Sequence, residues 1–476
     1  MHIGGAWVES DSGATMESTS PATGEPIGTL PEGTREDAQR AVSAANAAWR
    51  EWAGRSAFER AAAMDRIADL VHERRDDLAQ TLTLDQVKPL HAEAYDEVGE
   101  LEEYFRMAAA DATRLEGLMP PSVDAAKRGL VYRVPRGVVA AVTPWNWPYT
   151  MPAEILAPAL AAGNGVVWSP AASTSVCAIK LAECIVDAEL PAGVFNLVTG
   201  PGRVVGDELV ANPGTYAVGF VGSTETGYKI AERAAGKALL LEMGGNGPLV
   251  VLEDADLERA VEATVTASFL CAGQSCTAGE LFLVHEAVHD AFLDKLAGRI
   301  AAEVKLGDPF DEQTTMGPLN NESTAAKMDE HVGDALERGA ELVSGGARAA
   351  GFPTNLYYEP TVLDRISDEM EVAREETFGP VVPIQTIRSE DEALATIDNS
   401  PYGLLAAVFT RDLGRGLRFA ERARAGWVNV NASSNYWEPH LPFGGRAGSR
   451  SGVGRVGGRF AFDSFTELKT VVLDLG

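Results

Sequence analysis

A chain of 476 residues is too long for one small core and points to two or three domains. Its net charge of −29 disfavours nucleic acid and anionic membranes as partners, because both are polyanions. No run of roughly 18 uncharged apolar residues is present to span a membrane, and the N-terminus lacks the basic-then-apolar pattern of a secretory signal.

Thr34 to Trp52 reads as a helix. Ser56-Ala57-Phe58-Glu59 is a capping box that opens a second helical run to about Ala79. Short β-branched strands are expected at Gly137 to Thr143, Gly165 to Trp168 and Tyr216 to Val221, with a helix near Ser173 to Asp187. Strand, helix and strand at this spacing imply a parallel sheet with crossovers. Leu239 to Leu241 and Pro248 to Leu252 frame a glycine turn at Gly244-Gly245. Beyond Asp254 comes a second set of helices and strands, which includes an apolar helical run from Val261 to Leu270. Periodicity alone supports an α/β chain of more than one domain. Four cysteines in a chain this long make no disulfide framework, and the cytoplasm is the expected compartment. Cys177 and Cys184 have no partners at metal-ligand spacing and read as core, so no metal is expected.

Three segments carry chemistry. Gly273-Gln274-Ser275-Cys276-Thr277 places a cysteine after a glycine turn, where a turn or helix terminus lowers a thiol's pKa and exposes it. The alternative is a small buried hydrophobe. Leu241-Glu242-Met243-Gly244-Gly245 offers a carboxylate between an apolar strand and a turn; the alternative is an ordinary charged strand end. Pro144-Trp145-Asn146-Trp147-Pro148 offers a side-chain amide; the alternative is a residue capping its own turn. A sulfur nucleophile, a carboxylate base and an amide donor are the parts needed for acyl chemistry at a carbonyl carbon.

In this order, and together with Phe220 to Gly227, Glu375 to Pro380, Pro442 to Gly445 and Thr466 to Thr470, these segments resemble the aldehyde dehydrogenase superfamily over almost the whole chain. The resemblance implies a Rossmann-like cofactor domain at residues 1–119 and 143–242 and an α/β catalytic domain at 243–456. A small β oligomerisation element at 120–142 and 457–476 completes the division. It implies NAD(P)-dependent oxidation of an aldehyde to a carboxylic acid through a thiohemiacetal and a thioester on Cys276. Asn146 and the Cys276 backbone N–H would stabilise the oxyanion, and Glu242 would activate water. Glu376 would hold the nicotinamide ribose and Phe378 the ring. Gly222 and Ser223 would meet the pyrophosphate, with Thr143, Trp145, Ser169 and Gly244 lining the same cofactor site. Met151, Glu154, Ser275 and Thr277 would line the aldehyde tunnel with Tyr436, Trp437 and His440. The nearest alternative transfers the acyl group to coenzyme A; another is a catalytically silent binding or structural member of the fold.

The chain departs from the family in places. Ser169 and Ala172 replace a lysine and a glutamate that contact the adenosine ribose, so NAD versus NADP stays open. Ile155 and Val456 replace a charged pair, and losing both avoids one unpaired buried charge. Arg455 and Glu467 match a family pair that links the active-site loop to the oligomerisation strand. A homodimer or homotetramer is expected.

Overall fold

Two large, mainly parallel sheets organise the protein, which we describe from a computed structural model of residues 1–476. Their central strands, such as Val138–Val142, Gly165–Ser169, Pro248–Val251 and Leu405–Phe409, are almost continuously apolar and buried. Strands of this kind are covered by helices on both faces, so they show no in-out alternation. No helix is long and apolar enough to cross a membrane.

The first sheet has eight strands. Its parallel centre runs, in space, Ala238–Met243, Ala217–Gly222, Val138–Val142, Gly165–Ser169, Phe195–Leu197. Chain order reverses direction at Val138–Val142, which pairs with the next strand, Gly165–Ser169, on one side and with the later Ala217–Gly222 on the other. In open α/β sheets, ligands bind at such a switch point, outside the carboxyl ends of the strands. The second sheet has seven strands, built on Pro248–Val251, Leu281–His285, Val381–Ile387 and Leu405–Phe409. A separate antiparallel pair joins Lys127–Pro135 to Thr466–Asp474.

Most expected elements are present. The helices Arg35–Gly54 and Ala57–Glu73 both begin with a complete capping box, Thr34 with Asp37 and Ser56 with Glu59. The run expected to reach Ala79 ends instead at Glu73. Arg74, at φ −105° and ψ 14°, breaks the ladder before a further helix, Arg75–Asp85. Cys177 and Cys184 are fully buried core residues.

Three expectations about the β element need correction. Val138–Val142 pairs with both Gly165–Ser169 and Ala217–Gly222, so it lies at the centre of the eight-stranded sheet. Gly452–Val453 also enters that sheet, pairing with Leu241 and Glu242. Arg455 and Glu467 do not meet within the chain. The Arg455 guanidinium donates to the Gly445 and Gly454 carbonyls at 2.8 and 2.6 Å, while Glu467 faces Arg136 at 3.7 Å.

Candidate active site

The helix Leu257–Phe269 delivers the chain into the turn that carries Cys276. Cys271 and Ala272 take φ values of 54° and 52°, a left-handed conformation that costs side-chain-bearing residues about 1–3 kcal/mol each. Gly273 follows at φ 72°, so close to Gly379 that a Cβ would stand 2.2 Å from its carbonyl oxygen. Four hydrogen bonds hold this path. The Cys271 N–H donates to the Glu93 carboxylate at 3.0 Å, and the Gln274 side chain donates to the Cys271 carbonyl at 2.8 Å. The Asn320 N–H donates to Gln274 Oε1 at 2.9 Å, and the Asn146 amide donates to the Gln274 carbonyl at 3.0 Å. Asn146 therefore does not cap its own turn; it reaches a loop 128 residues away.

Cys276 is half-buried at the end of this turn. Its thiol is pushed well above the ordinary range by burial, then by the carboxyl groups of Glu242 and Glu154. This reverses the expectation that the turn lowers the pKa: no helix begins at Cys276, and the groups around it are acids. Glu242 is fixed on its strand between Val221 and Gly452. It is 3% exposed, and its Oε1 has no hydrogen-bond partner. Burial, then Glu154 and Glu376, push its carboxyl well above the usual range. The resting Cys276 is a thiol, and the Glu242 carboxyl beside it holds its proton more tightly than an exposed one.

A buried ion pair supports the Asn146 loop from below. Lys88 Nζ stands 2.5 Å from Glu97 Oε2, and both side chains are wholly buried. The same ammonium lies 3.0 Å from the centroid of the Trp147 ring. The other Glu97 oxygen accepts from the Tyr149 and Thr150 N–H groups at 2.9 and 3.4 Å. The sequence reading missed this set, because Lys88 and Glu97 carry no local signal that points toward residues 146–150.

Two cavities meet at Cys276. The larger, about 270 Å³ and open to solvent, sits at the carboxyl ends of Val138–Val142, Ala217–Gly222 and Ala238–Met243. Trp145, Asn146, Gly222, Ser223 and Gly244 line it, with Glu376 and Phe378 on the opposite wall. A Cβ on Gly244 would stand 2.4 Å from a Glu376 oxygen, so only glycine lets that wall close in. Glu376 Oε1 accepts from the Gly245 N–H at 2.9 Å, and Phe378 stands edge-on to Trp145 at 5.7 Å. Ser223 caps the helix Thr224–Arg233, whose N-terminal N–H groups provide a site for phosphate. An open cleft with a helix N-terminus at the switch point and a glycine wall suits a dinucleotide.

Thr143 and Ser169 lie outside the part of the cleft around Cys276. Thr143 Oγ1 accepts from the Trp168 indole at 2.8 Å, and Ser169 is buried against Gly206 with its hydroxyl unpartnered.

The smaller cavity, about 30 Å³, is lined by Met151, Glu154, Ser275, Thr277 and Trp437, with Trp147 and Phe443 completing it beside Glu242 and Cys276. Tyr436 and His440 do not reach it. The Tyr436 side chain is out at the surface and donates to Glu438 at 2.7 Å, while His440 stands 3.5 Å from the same carboxylate. Their loop turns outward after Trp437, which packs on Tyr104 and Phe443. Phe443 and Trp147 lay in motifs already singled out but were given no role. Ile155 and Val456 are fully buried, so a single charge at either would stand unpaired.

The whole chain is similar to known proteins. The model described as "Aldehyde dehydrogenase family" matches residues 7–471. The 3-sulfolactaldehyde dehydrogenase of Pseudomonas putida is 39% identical, over 99% of this chain and 96% of that protein. The NADP-dependent succinate-semialdehyde dehydrogenase GabD of Escherichia coli strain K12 is 38% identical, over 99% and 97%. A crystal structure of betaine aldehyde dehydrogenase from Staphylococcus aureus in complex with NAD+ superposes with a TM-score of 0.97 at 33% identity, covering 100% of this chain and 95% of that one. With the dinucleotide cleft and the cysteine between its two cavities already in place, this full-length likeness decides the matter: the chain belongs to the aldehyde dehydrogenase family and is an NAD(P)-dependent oxidoreductase of aldehydes.

Proposed function

We propose that Cys276 is the nucleophile, Asn146 an oxyanion donor and Glu242 the base that releases a free carboxylic acid. The single observation that carries this reading is the junction at Cys276, where the side chain opens to both cavities with Glu242 beside it. Deprotonated Cys276 attacks the aldehyde carbon. The oxygen that becomes negative is met by the Cys276 N–H and the second N–H of the Asn146 amide, donors already fixed by the loop bonds. When bound, NAD or NADP supplies the hydride acceptor, and its oxidised ring brings a positive charge to a site crowded with carboxyls. Oxidation of the thiohemiacetal leaves an acyl thioester on Cys276. Glu242 then takes a proton from water, the water oxygen forms the new C–O bond, and the C–S bond breaks to return the thiolate.

Product analysis tests this reading. The carboxylic acid is the expected product without coenzyme A. Formation of an acyl-CoA, with no acid in its absence, would favour the acyl-transferring alternative. Failure to bind either dinucleotide at millimolar concentration would favour the silent one.

We divide the chain into a cofactor unit on the eight-stranded sheet, a catalytic unit on the seven-stranded sheet, and the antiparallel pair Lys127–Pro135 with Thr466–Asp474. That pair exposes Tyr132, Leu468 and Val472, with Leu473 beside them. Apolar side chains on a two-stranded ribbon, with the outer edge of Thr466–Asp474 unpaired, support assembly through this element into a homodimer or homotetramer. Four free thiols support a reducing compartment, the cytoplasm.

A further inference from the structure

The aldehyde cavity contains no lysine, arginine or histidine. Its only ionisable groups besides Cys276 are two carboxyls, Glu242 and Glu154. Glu242 is committed to the acyl chemistry. Glu154 is not, and its surroundings are unusual. It is 2% exposed on the helix Thr150–Ala161. One oxygen, Oε1, accepts from the Tyr104 hydroxyl at 2.8 Å. The other, Oε2, is buried with no partner at all. A buried polar atom without a partner is costly, so one that lines a ligand cavity is most simply completed by the ligand. Tyr104 cannot complete it, since its single proton is already used. Trp437 stacks beside Tyr104 at 5.9 Å and holds the pair in place.

The remaining walls are Trp147, Met151, Phe443 and Trp437, with the small hydroxyls of Ser275 and Thr277. The Ser275 and Thr277 hydroxyls bond each other at 2.8 Å, and Thr277 also meets Asn435 at 2.7 Å. They are already engaged and offer no positive charge. An aldehyde with a carboxylate or sulfonate at its far end would be desolvated here opposite carboxyl groups, with no cation to meet it. An aldehyde with a proton donor at that end would satisfy Glu154 Oε2 between aromatic walls.

Resting on the aldehyde oxidation described above, we propose that Glu154 is a specificity-determining residue: it receives a hydrogen-bond-donating group, hydroxyl or ammonium, at the far end of the substrate and rejects aldehydes that are anionic there. Burial, with Glu100 nearby, raises the Glu154 carboxyl to about 8, so the ionised form that receives a donor and repels an anion gains weight as pH rises past that value, and the preference should sharpen with it. The two donor classes share one requirement, an X–H bond pointed at Oε2.

Steady-state kinetics on the purified full chain test this with five aldehydes: succinate semialdehyde, its methyl ester, propanal, 3-hydroxypropanal and 3-aminopropanal. The ester should exceed the acid in kcat/KM by about 10-fold or more, and at least one donor aldehyde should exceed propanal by a similar factor. Glu154→Gln keeps the shape and the acceptor for Tyr104 but loses the negative charge. With its oxygen kept for Tyr104, its NH2 replaces Oε2, so it should abolish the preference for either donor aldehyde and narrow the gap between succinate semialdehyde and its ester, while wild-type rates for 3-hydroxypropanal and 3-aminopropanal tell the two donors apart. Glu154→Leu should abolish both. Wild-type enzyme needs no variant to fold for the charge comparison, so that arm stands alone. Succinate semialdehyde as the best of the five would overturn the assignment while leaving aldehyde oxidation intact. NAD(P)H from none of the five would overturn the activity and this assignment with it.

Discussion

The Asn146 side chain donates to the backbone carbonyl of Gln274 at 3.0 Å. This bond ties the loop after Val138–Val142 to the turn that carries Cys276, so the two halves of the reaction centre are positioned as one unit. It uses one amide hydrogen and leaves the other to face developing charge. Asn146→Ala removes both the tie and the donor. Hydride formation in a single turnover should slow by on the order of 10²-fold or more. An unchanged single-turnover rate would remove Asn146 from the oxyanion site.

The acids around Cys276 set the pH dependence. The Cys276 thiol and the Glu242 carboxyl are both raised by burial first and by neighbouring carboxyls second. Each therefore keeps its proton as pH rises past the ordinary pKa, and each must lose it to act. Oxidation should increase from about pH 7 to about pH 9, as should alkylation of Cys276 by iodoacetamide with Cys276→Ala as the blank. Glu242→Gln withdraws one of the charges that hold the thiol up, so its alkylation at alkaline pH should be faster than in the wild type. Slower or equal alkylation would show that Glu242 does not raise the thiol.

Beneath the Asn146 loop, the Lys88–Glu97 pair is fully buried. Lys88→Met strands the Glu97 charge and should cost about 3–5 kcal/mol in chemical denaturation. Lys88→Met with Glu97→Gln should recover part of that loss, because the stranded charge goes too. A double variant less stable than the single would contradict this account of the pair.

How much of the site was legible in the chain follows from how far each signal travels. Cys276, Glu242 and Asn146 each sit in a short motif, and the fold brings all three to one junction. The strand-end glycines and Glu376 were equally local, and they line one cleft. Thr143 and Ser169 were named from the resemblance, and the bond from the Trp168 indole to Thr143 is packing that no motif encodes. Tyr436 and His440 share a loop with Trp437, but only Trp437 turns inward, onto Tyr104 from a helix more than 300 residues earlier. Partners of that kind, including Lys88 and Glu97, are legible only once the chain has folded. The domain boundary after residue 142 was misplaced because only Arg136 and Gly137 separate Lys127–Pro135 from Val138–Val142, and only pairing assigns the two strands to different sheets.

The exposed ribbon makes a statement about mass. Leu468 and Val472 are each 62% exposed on Thr466–Asp474. Light scattering should give at least twice the chain mass. Leu468→Asp with Val472→Asp should lower it toward a monomer, because two buried charges would face the partner. A fully active monomer at assay concentration would contradict the assembly.

The most direct test of the central claim is rapid mixing of Glu242→Gln with a good aldehyde and NAD or NADP, followed by intact-mass spectrometry. The account predicts one burst of NAD(P)H close to the amount of enzyme, then a stall, with the acyl group of the substrate retained on Cys276. Wild-type steady-state turnover by Glu242→Gln, with no acyl adduct on Cys276, would contradict it.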